Sequence, residues 1–528
     1  MKGTQLIGNN ESAQGTDTFK AVNPLDGKSL EPPFHEATCG EIDSALELAG
    51  GAARFMAEST GEDRCRLLNA IADALEEDAD TIKERVGLET GYPQGRLDGE
   101  FGRTVMQLRV FGRVAEDGNW VSARIDSALP DREPLPKPDL RRMLAPVGPV
   151  VIFGASNFPL AISVAGGDPA SALAAGCPVV TKGHPSHPGS SELVARAVLR
   201  GVEKAGFPDG TFSMLQGAGH DTGRLLVEHP KASAVAFTGS LRGGRALFDI
   251  AAARPNPIPV YAEMGSVNPQ FVLPGKLNAD PGAFADGLFA SVTMGNGQFC
   301  TCPSLVFVPE GDSLQAMIER YQELVSGSAG APLLNAGIAA AFDSGISRWQ
   351  DVQGIEILAQ GSLEAAEIGA APVMARISLE DFKDNQELFM EEIFGPSVLL
   401  VVCPNEQSYV AAAGLFDGQL GTSIHGNEEE LPKAGGLLSV LSGFSGRVCV
   451  NGFPTGIEVC DSVHHGGPYP ATTDAQHTSI GTAGIARWGR PVSYQNTPQA
   501  LLPDSLKDTN PLGLLRLVDG EWTRDPAA

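Results

Sequence analysis

Cys300 stands in GNGQFCTCPSLVFV, after a loop of small residues and glutamine and just before an apolar run. The chemistry on offer there is attack of a thiolate on an electrophilic carbon. A cysteine also packs as a small buried hydrophobe, and Cys302 competes for any role within the same loop. Glu263 closes the apolar run of PVYAEMGSVNPQFVLP, beside Gly265. A carboxylate ending a buried strand needs water, a partner or a task; a solvated strand end and a general base both meet that need. FTGSLRGG follows another apolar run and opens a helical stretch. Gly239 and Gly244 form G-x-x-x-x-G, not the dinucleotide pattern G-x-G-x-x-G, so a phosphate cradle and a plain strand-to-helix turn are both open.

Elements that could position these groups are legible around them. In RCRLLNAIADALEEDADTIKERV, Leu68, Ile71 and Leu75 fall on one helical face with acids opposite. A second helix is expected over GEFGRTVMQLRVFGRVAED. NWVSARIDSALPDREPLPKPDLRRML, rich in proline and charge, reads as an extended arm or edge hairpin. From Val147 short apolar runs alternate with helical stretches: GPVVIFGAS, CPVVTKGHP, FSMLQGAG and ASAVAFTGS. That rhythm predicts a parallel sheet covered on both faces. PQFVLP, SLVFVPE, SVLLVV and RVCVNG predict a second α/β domain.

The chain has 528 residues, 42% hydrophobic, with a net charge of -26. That charge repels nucleic acid and anionic lipid alike, so neither is expected as a partner. No apolar run approaches the roughly 20 residues that cross a bilayer, and the N-terminus lacks the apolar core of a secretory signal. Eight cysteines are scattered without paired CxxC spacing, so no resident metal is expected. Reduced thiols in the cytoplasm are the expectation that follows.

The order of blocks says more than any one of them. IFGASNFPL, CPVVTKGHP, LQGAGHDTG, VAFTGS, AEMGSVNP, GQFCTCP, EEIFGP and VCVNGFPTG occur together. In order and spacing they resemble the aldehyde dehydrogenase superfamily over almost the whole chain. The resemblance implies an NAD- or NADP-dependent enzyme that oxidises an aldehyde through a thiohemiacetal and thioester on Cys300. It makes Glu263 the base for the hydrolytic water, and Asn157, with the Cys300 backbone N–H, the oxyanion donor. A base working near neutral pH implies a raised carboxyl pKa, and an effective thiol implies a lowered pKa or a nearby base. Cys302 does not align with the nucleophile. Lys182 resembles the lysine that binds the adenosine ribose, Gly239, Ser240 and Gly244 would lie by the pyrophosphate, and Glu392 and Phe394 by the nicotinamide ribose. NAD-preferring members often carry a glutamate three residues after the lysine. Here that position is Pro185, so NADP is expected to be accepted, with His184 and His220 near its extra phosphate.

Within the family, KGHPSHPG, GQFCTCP and a tail containing NPLGLLRLVDGEW look most like the 2-oxoglutarate semialdehyde (2,5-dioxopentanoate) dehydrogenases. That subfamily also holds a long-chain enzyme, so a long-chain or broad aldehyde dehydrogenase is the alternative, and a non-catalytic relative that kept the fold is another. GRTVMQLRVFG resembles the family helix that lines the substrate tunnel, which implies that Arg103 faces the tunnel, where a guanidinium can grip a substrate carboxylate; an ion pair with Glu100 or another acid is the competing structural role. Arg109 points off that face. Phe158 and Phe453 are expected as apolar walls. The implied fold is α/β: a parallel-sheet cofactor domain (1–118 and 145–263), an α/β catalytic domain (264–469), a small β oligomerisation element (119–144 and 484–498) and a C-terminal extension (499–528). A homodimer or homotetramer is expected.

Overall fold

The computed structural model describes residues 1–527. Two seven-stranded sheets form its two large cores. In the first, Val260–Glu263, Ala234–Thr238, Val150–Phe153, Val179–Lys182 and Phe212–Leu215 lie side by side and parallel. Gln5–Ile7 and Asn10–Ser12 extend it antiparallel. VVIF and FSML are buried at every position, as strands covered by helices on both faces must be. The chain runs outward from Val150–Phe153 in both directions, so the strand order reverses there. A crevice opens at such a reversal, beyond the carboxyl ends of the strands. Lys182, Thr238 and Glu263 end their strands on that side, with Thr238 paired to Glu263 and Phe153 to Lys182.

The second sheet runs Glu356–Gln360, Val373–Ser378, Ser397–Cys403, Leu305–Pro309, Gln270–Val272, Gln419–His425 and Ser445–Val450. Only the first pair is antiparallel. A third sheet joins Gly489–Gln495, Leu140–Pro146 and Arg124–Asp126 to two strands of the C-terminal stretch, Arg516–Val518 and Glu521–Thr523. The tail is therefore built into the small sheet. Arg516 is fully buried, and its guanidinium donates to the carbonyls of Lys507, Asp508 and Asp525. Leu502, Leu506 and Leu514 pack with Val121 and Ala123 beneath it. Among the described residues no helix is long and apolar enough to cross a membrane.

Candidate active site

The loop carrying Cys300 follows the Pro281–Thr293 helix and bends through three left-handed residues, Gly295, Asn296 and Gly297. Glycine and asparagine tolerate that backbone best. A side chain on Gly297 would overlap the backbone of Gly395, so the loop touches the segment that carries Glu392. Two buried amides fasten it. Asn296 donates to the carbonyls of Ala331 and Ala370, and Gln298 to those of Gly295 and Pro332. Asn268 holds the nucleophile's own stretch, donating to Cys300 O at 2.9 Å and Cys302 O at 3.0 Å.

Cys300 is half-buried, and its Sγ lies 3.5 Å from His465 Nε2. The same nitrogen lies 2.8 Å from Glu263 Oε1. Ser479 Oγ donates to Glu263 Oε2 at 2.7 Å, and Ser479 N–H to the His465 carbonyl at 2.9 Å. His465 N–H donates to Thr478 Oγ1. Thiol, imidazole and carboxylate thus converge, their reactive atoms all within 4.8 Å of one another. In a protease triad the acid holds Nδ1 while Nε2 faces the nucleophile. Here one nitrogen faces both, so the ring can hold a proton for either neighbour but cannot relay one through itself.

Electrostatics correct the expectation of a raised Glu263 carboxyl. Burial pushes the Glu263 carboxyl up, but the His465 ring, the Ser479 hydroxyl and Cys300 together outweigh it, and the carboxyl sits below its ordinary value. Burial, with the Glu263 carboxylate next, pushes the Cys300 thiol well above its usual range, against a smaller opposing pull from Arg103. The resting nucleophile is a neutral thiol with a base at hand. His465 itself escaped the sequence reading. It stands in SVHHGGPYP, 165 positions from Cys300, and nothing in that spacing marks it.

Asn157 follows Val150–Phe153 at the strand reversal. Its side-chain amide donates to Gln298 O at 2.8 Å, which commits one of its two N–H groups. Its carbonyl is gripped by Arg96 Nη2 at 2.7 Å and Tyr92 Oη at 3.1 Å. Arg96 was also missed. Its guanidinium lies 3.8 Å over the Tyr92 ring and 4.9 Å from that of Phe299, so it braces Asn157 and the nucleophile loop together.

A narrow cavity reaches Cys300 between Arg103, Phe158, Phe299, Ile457 and Ile480. It has about 20 Å³ in which water can sit, enough for one molecule. Phe158 packs edge-on to Phe299 at 5.1 Å. Arg103 Nε and Nη2 are buried with no hydrogen-bond partner, and burial lowers its pKa. Glu100 makes no ion pair with it. Instead Glu100 Oε1 accepts from the backbone N–H groups of Leu160 and Ala161. Arg109 is held on the outside by Asp73 and Glu76. Phe453 corrects its expectation: it packs on Phe284 at 5.6 Å and His425 at 4.9 Å and leaves the cavity wall to Ile457. The FPTG turn points its ring into the second core.

On the cofactor side, Lys182 ends its strand half-buried, and burial brings its pKa down to about 8, with the nearby Glu36 opposing. His184 stacks on His187 at 5.4 Å, and burial with the neighbouring His187 and Lys182 holds it well below its ordinary value. It is neutral, so it offers a phosphate no charge. His220 is exposed at the start of the His220–Glu228 helix. Ser240 caps the Leu241–Ala252 helix, accepting from Gly243 N–H, and Gly239 N–H is taken by the Glu263 carbonyl. The open donors at that helix end are those of Leu241 and Arg242. Gly244 is a packing glycine: a side chain there would strike Met264 and Ala262. Glu392 lies against Gly265, and burial, with Glu263 adding to it, pushes its carboxyl up to about 8. Phe394 is half-buried two residues on. Glu36, whose Oε1 accepts from Ala218 N–H at 2.8 Å, is an acid of this crevice that the sequence did not flag.

A model of the aldehyde dehydrogenase family matches residues 11–460. The chain is 43% identical over 522 residues to an alpha-ketoglutaric semialdehyde dehydrogenase 2 of Azospirillum brasilense, covering 99% of both. It is 41% identical over 523 residues to an alpha-ketoglutaric semialdehyde dehydrogenase of Acinetobacter baylyi, again covering 99% of both. Its fold is similar to that of an aldehyde dehydrogenase from Bacillus cereus solved with NAD+, with a TM-score of 0.79 at 22% identity over 94% of this chain and 96% of that one. An NAD-dependent aldehyde dehydrogenase from Sinorhizobium meliloti gives a TM-score of 0.78 at 24% identity, covering 94% and 95%.

Proposed function

Because the chain belongs to the aldehyde dehydrogenase family, we propose that this oxidoreductase converts 2-oxoglutarate semialdehyde (2,5-dioxopentanoate) to 2-oxoglutarate with NAD or NADP. The Cys300 thiol gives its proton to the His465–Glu263 pair and attacks the aldehyde carbon. The uncommitted N–H of Asn157 and the Cys300 backbone N–H receive the oxyanion of the thiohemiacetal. A bound nicotinamide supplies the hydride acceptor. Once the pair has passed that proton to solvent, Glu263 draws a proton from the water that cleaves the Cys300 thioester and returns it to the departing sulfur. Lys182, Gly239, Ser240, Glu392 and Phe394 are the residues proposed to hold the cofactor. The fit rests on a half-buried lysine with no acceptor of its own and on the open N–H groups at the Leu241–Ala252 helix end.

One observation carries the substrate: a half-buried guanidinium, its Nε and Nη2 without an acceptor, in the cavity that reaches the nucleophile. A carboxylate two to three carbons from the aldehyde supplies what Arg103 lacks. Arg103→Ala is expected to lower kcat/KM on 2,5-dioxopentanoate by about 10- to 100-fold, the worth of hydrogen bonds to a charged group. An uncharged aldehyde of similar length should change by less than about threefold, since it leaves those bonds unmade in either protein. Equal losses on both would remove Arg103 from carboxylate recognition, and kcat/KM rising steadily along a series of uncharged aldehydes would favour the long-chain reading.

For the cofactor, Pro185 leaves no acid on the strand end to repel a 2′-phosphate. Steady-state kinetics should give kcat/KM for NAD no more than about tenfold above that for NADP. Glu36 is the remaining anion near Lys182, and Glu36→Gln should move the ratio toward NADP; a ratio beyond tenfold, or no movement, would defeat this reading. We also propose a homodimer or homotetramer, supported by the open sheet edges at Ser445–Val450 and Gly489–Gln495. A cytoplasmic setting is supported by all eight cysteines being free.

A further inference from the structure

We propose that Cys300, His465 and Glu263 form a ready-made site for Zn2+, and that a zinc ion seated there silences the enzyme by capturing its nucleophile. The silencing rests on Cys300 being the nucleophile; the binding rests on geometry alone. With zinc–sulfur and zinc–nitrogen bonds of about 2.3 and 2.05 Å, tetrahedral coordination sets its S and N ligands about 3.6 Å apart. Cys300 Sγ and His465 Nε2 are 3.5 Å apart with no metal between them. The corresponding N···O separation is about 3.4 Å, against 2.8 Å from His465 Nε2 to Glu263 Oε1. The carboxylate has only to draw back by roughly half an ångström as the hydrogen bond gives way to the metal.

The surroundings favour the ion. Ser479 already holds the other Glu263 oxygen, which leaves Oε1 as a single ligand oriented from behind. Thr478 and Ser479 pin the His465 backbone. The cavity's room for one water provides a fourth ligand, completing the open arrangement of a three-residue zinc site. Thiolate, imidazole and carboxylate suit zinc; magnesium and calcium want oxygen throughout. A thiolate and a carboxylate balance the ion's two charges. On binding, the thiol loses its proton to solvent as the S–Zn bond forms. The imidazole proton passes from Nε2 to Nδ1, so one proton is released per ion.

The contrast within the molecule is the cluster of Asp43, Glu47 and His229. It has no sulfur, it is largely exposed, and Glu47 is paired with Lys231 at 3.5 Å. It carries no proposal and serves as an internal control.

The test titrates the full-length protein, without cofactor, with Co2+ as a coloured substitute for Zn2+. One equivalent should produce a thiolate-to-cobalt charge-transfer band that Zn2+ removes. Cys300→Ser should abolish the band, and Glu263→Gln should weaken binding at least about tenfold. Zn2+ should also block both iodoacetamide labelling of Cys300 and turnover, with EDTA restoring both; Mg2+ and Ca2+ should do neither. If a variant loses its fold by circular dichroism, the labelling experiment on the unaltered protein decides alone. A missing band, a band that survives Cys300→Ser, or binding lost only in His229→Ala would each overturn the proposal. Active Cys300→Ser protein would instead overturn the mechanism, and the two failures are read separately.

Discussion

Cys300→Ser is expected to lower kcat/KM for the aldehyde by at least about four orders of magnitude, leaving cofactor affinity and the melting temperature close to those of the unaltered protein. A hydroxyl is far harder to ionise than a thiol, and this site already makes ionisation difficult. Burial and the Glu263 carboxylate push even the thiol well above its usual range. A base that must work to take a proton from sulfur cannot take one from oxygen. Losing the nucleophile of an interdependent group typically leaves only the catalysis of binding and the oxyanion donors. Following reduced cofactor by absorbance checks the loss, and titrating cofactor by fluorescence checks that binding is intact. Undiminished turnover would end the thioester account.

Glu263→Gln should act in two opposite directions. Turnover should fall by about 10²- to 10⁴-fold, because the water that cleaves the thioester has lost its base. Acylation should outlive that loss, because His465 Nε2, 3.5 Å from the sulfur, can still take the thiol proton, so rapid mixing should show a burst of about one reduced cofactor per site, followed by a stall. Intact-mass measurement should find the acyl group on Cys300. Alkylation of Cys300 should meanwhile become faster at neutral pH. The carboxylate is a negative charge beside the sulfur and so raises the thiol pKa. Removing that charge lowers the pKa, and at any pH below it the thiolate fraction grows. Iodoacetamide rates across pH 6 to 10 should show the profile displaced to lower pH. Slower alkylation would mean that Glu263 activates the thiol more than it restrains it. A fall in turnover with no burst would place the lost step before the thioester.

Much of this site was legible because its parts sit in ordered blocks. Cys300, Glu263, Asn157 and Glu392 each lie in a short stretch whose neighbours constrain it: a glycine-rich bend, a strand end, a strand reversal. His465 has no such signature. It reaches Glu263 across 202 positions, through a segment held by side-chain hydrogen bonds to Thr478 and Ser479 that leave no periodicity in the sequence. The strand Gln419–His425 was missed for a related reason. QLGTSIH does not look apolar, yet it is buried at every position, with Thr422 donating to the Pro269 carbonyl and His425 bonded to Gln270. Buried polar strands are paid for in partners that only the fold reveals. Phe453 shows the converse failure: an aromatic residue in the right block whose turn sends it into the wrong compartment.

The bare guanidinium of Arg103 has a consequence for the sturdiness of the empty protein. A buried donor left unmatched costs about 1–3 kcal/mol, a sizeable share of the margin by which most domains stay folded. An anionic guest that bonds Arg103 should therefore raise the melting temperature of the protein, and an uncharged aldehyde of the same length should raise it less. Evolution toward a hardier apoprotein and evolution toward sharper choice of aldehyde pull this one side chain in opposite directions.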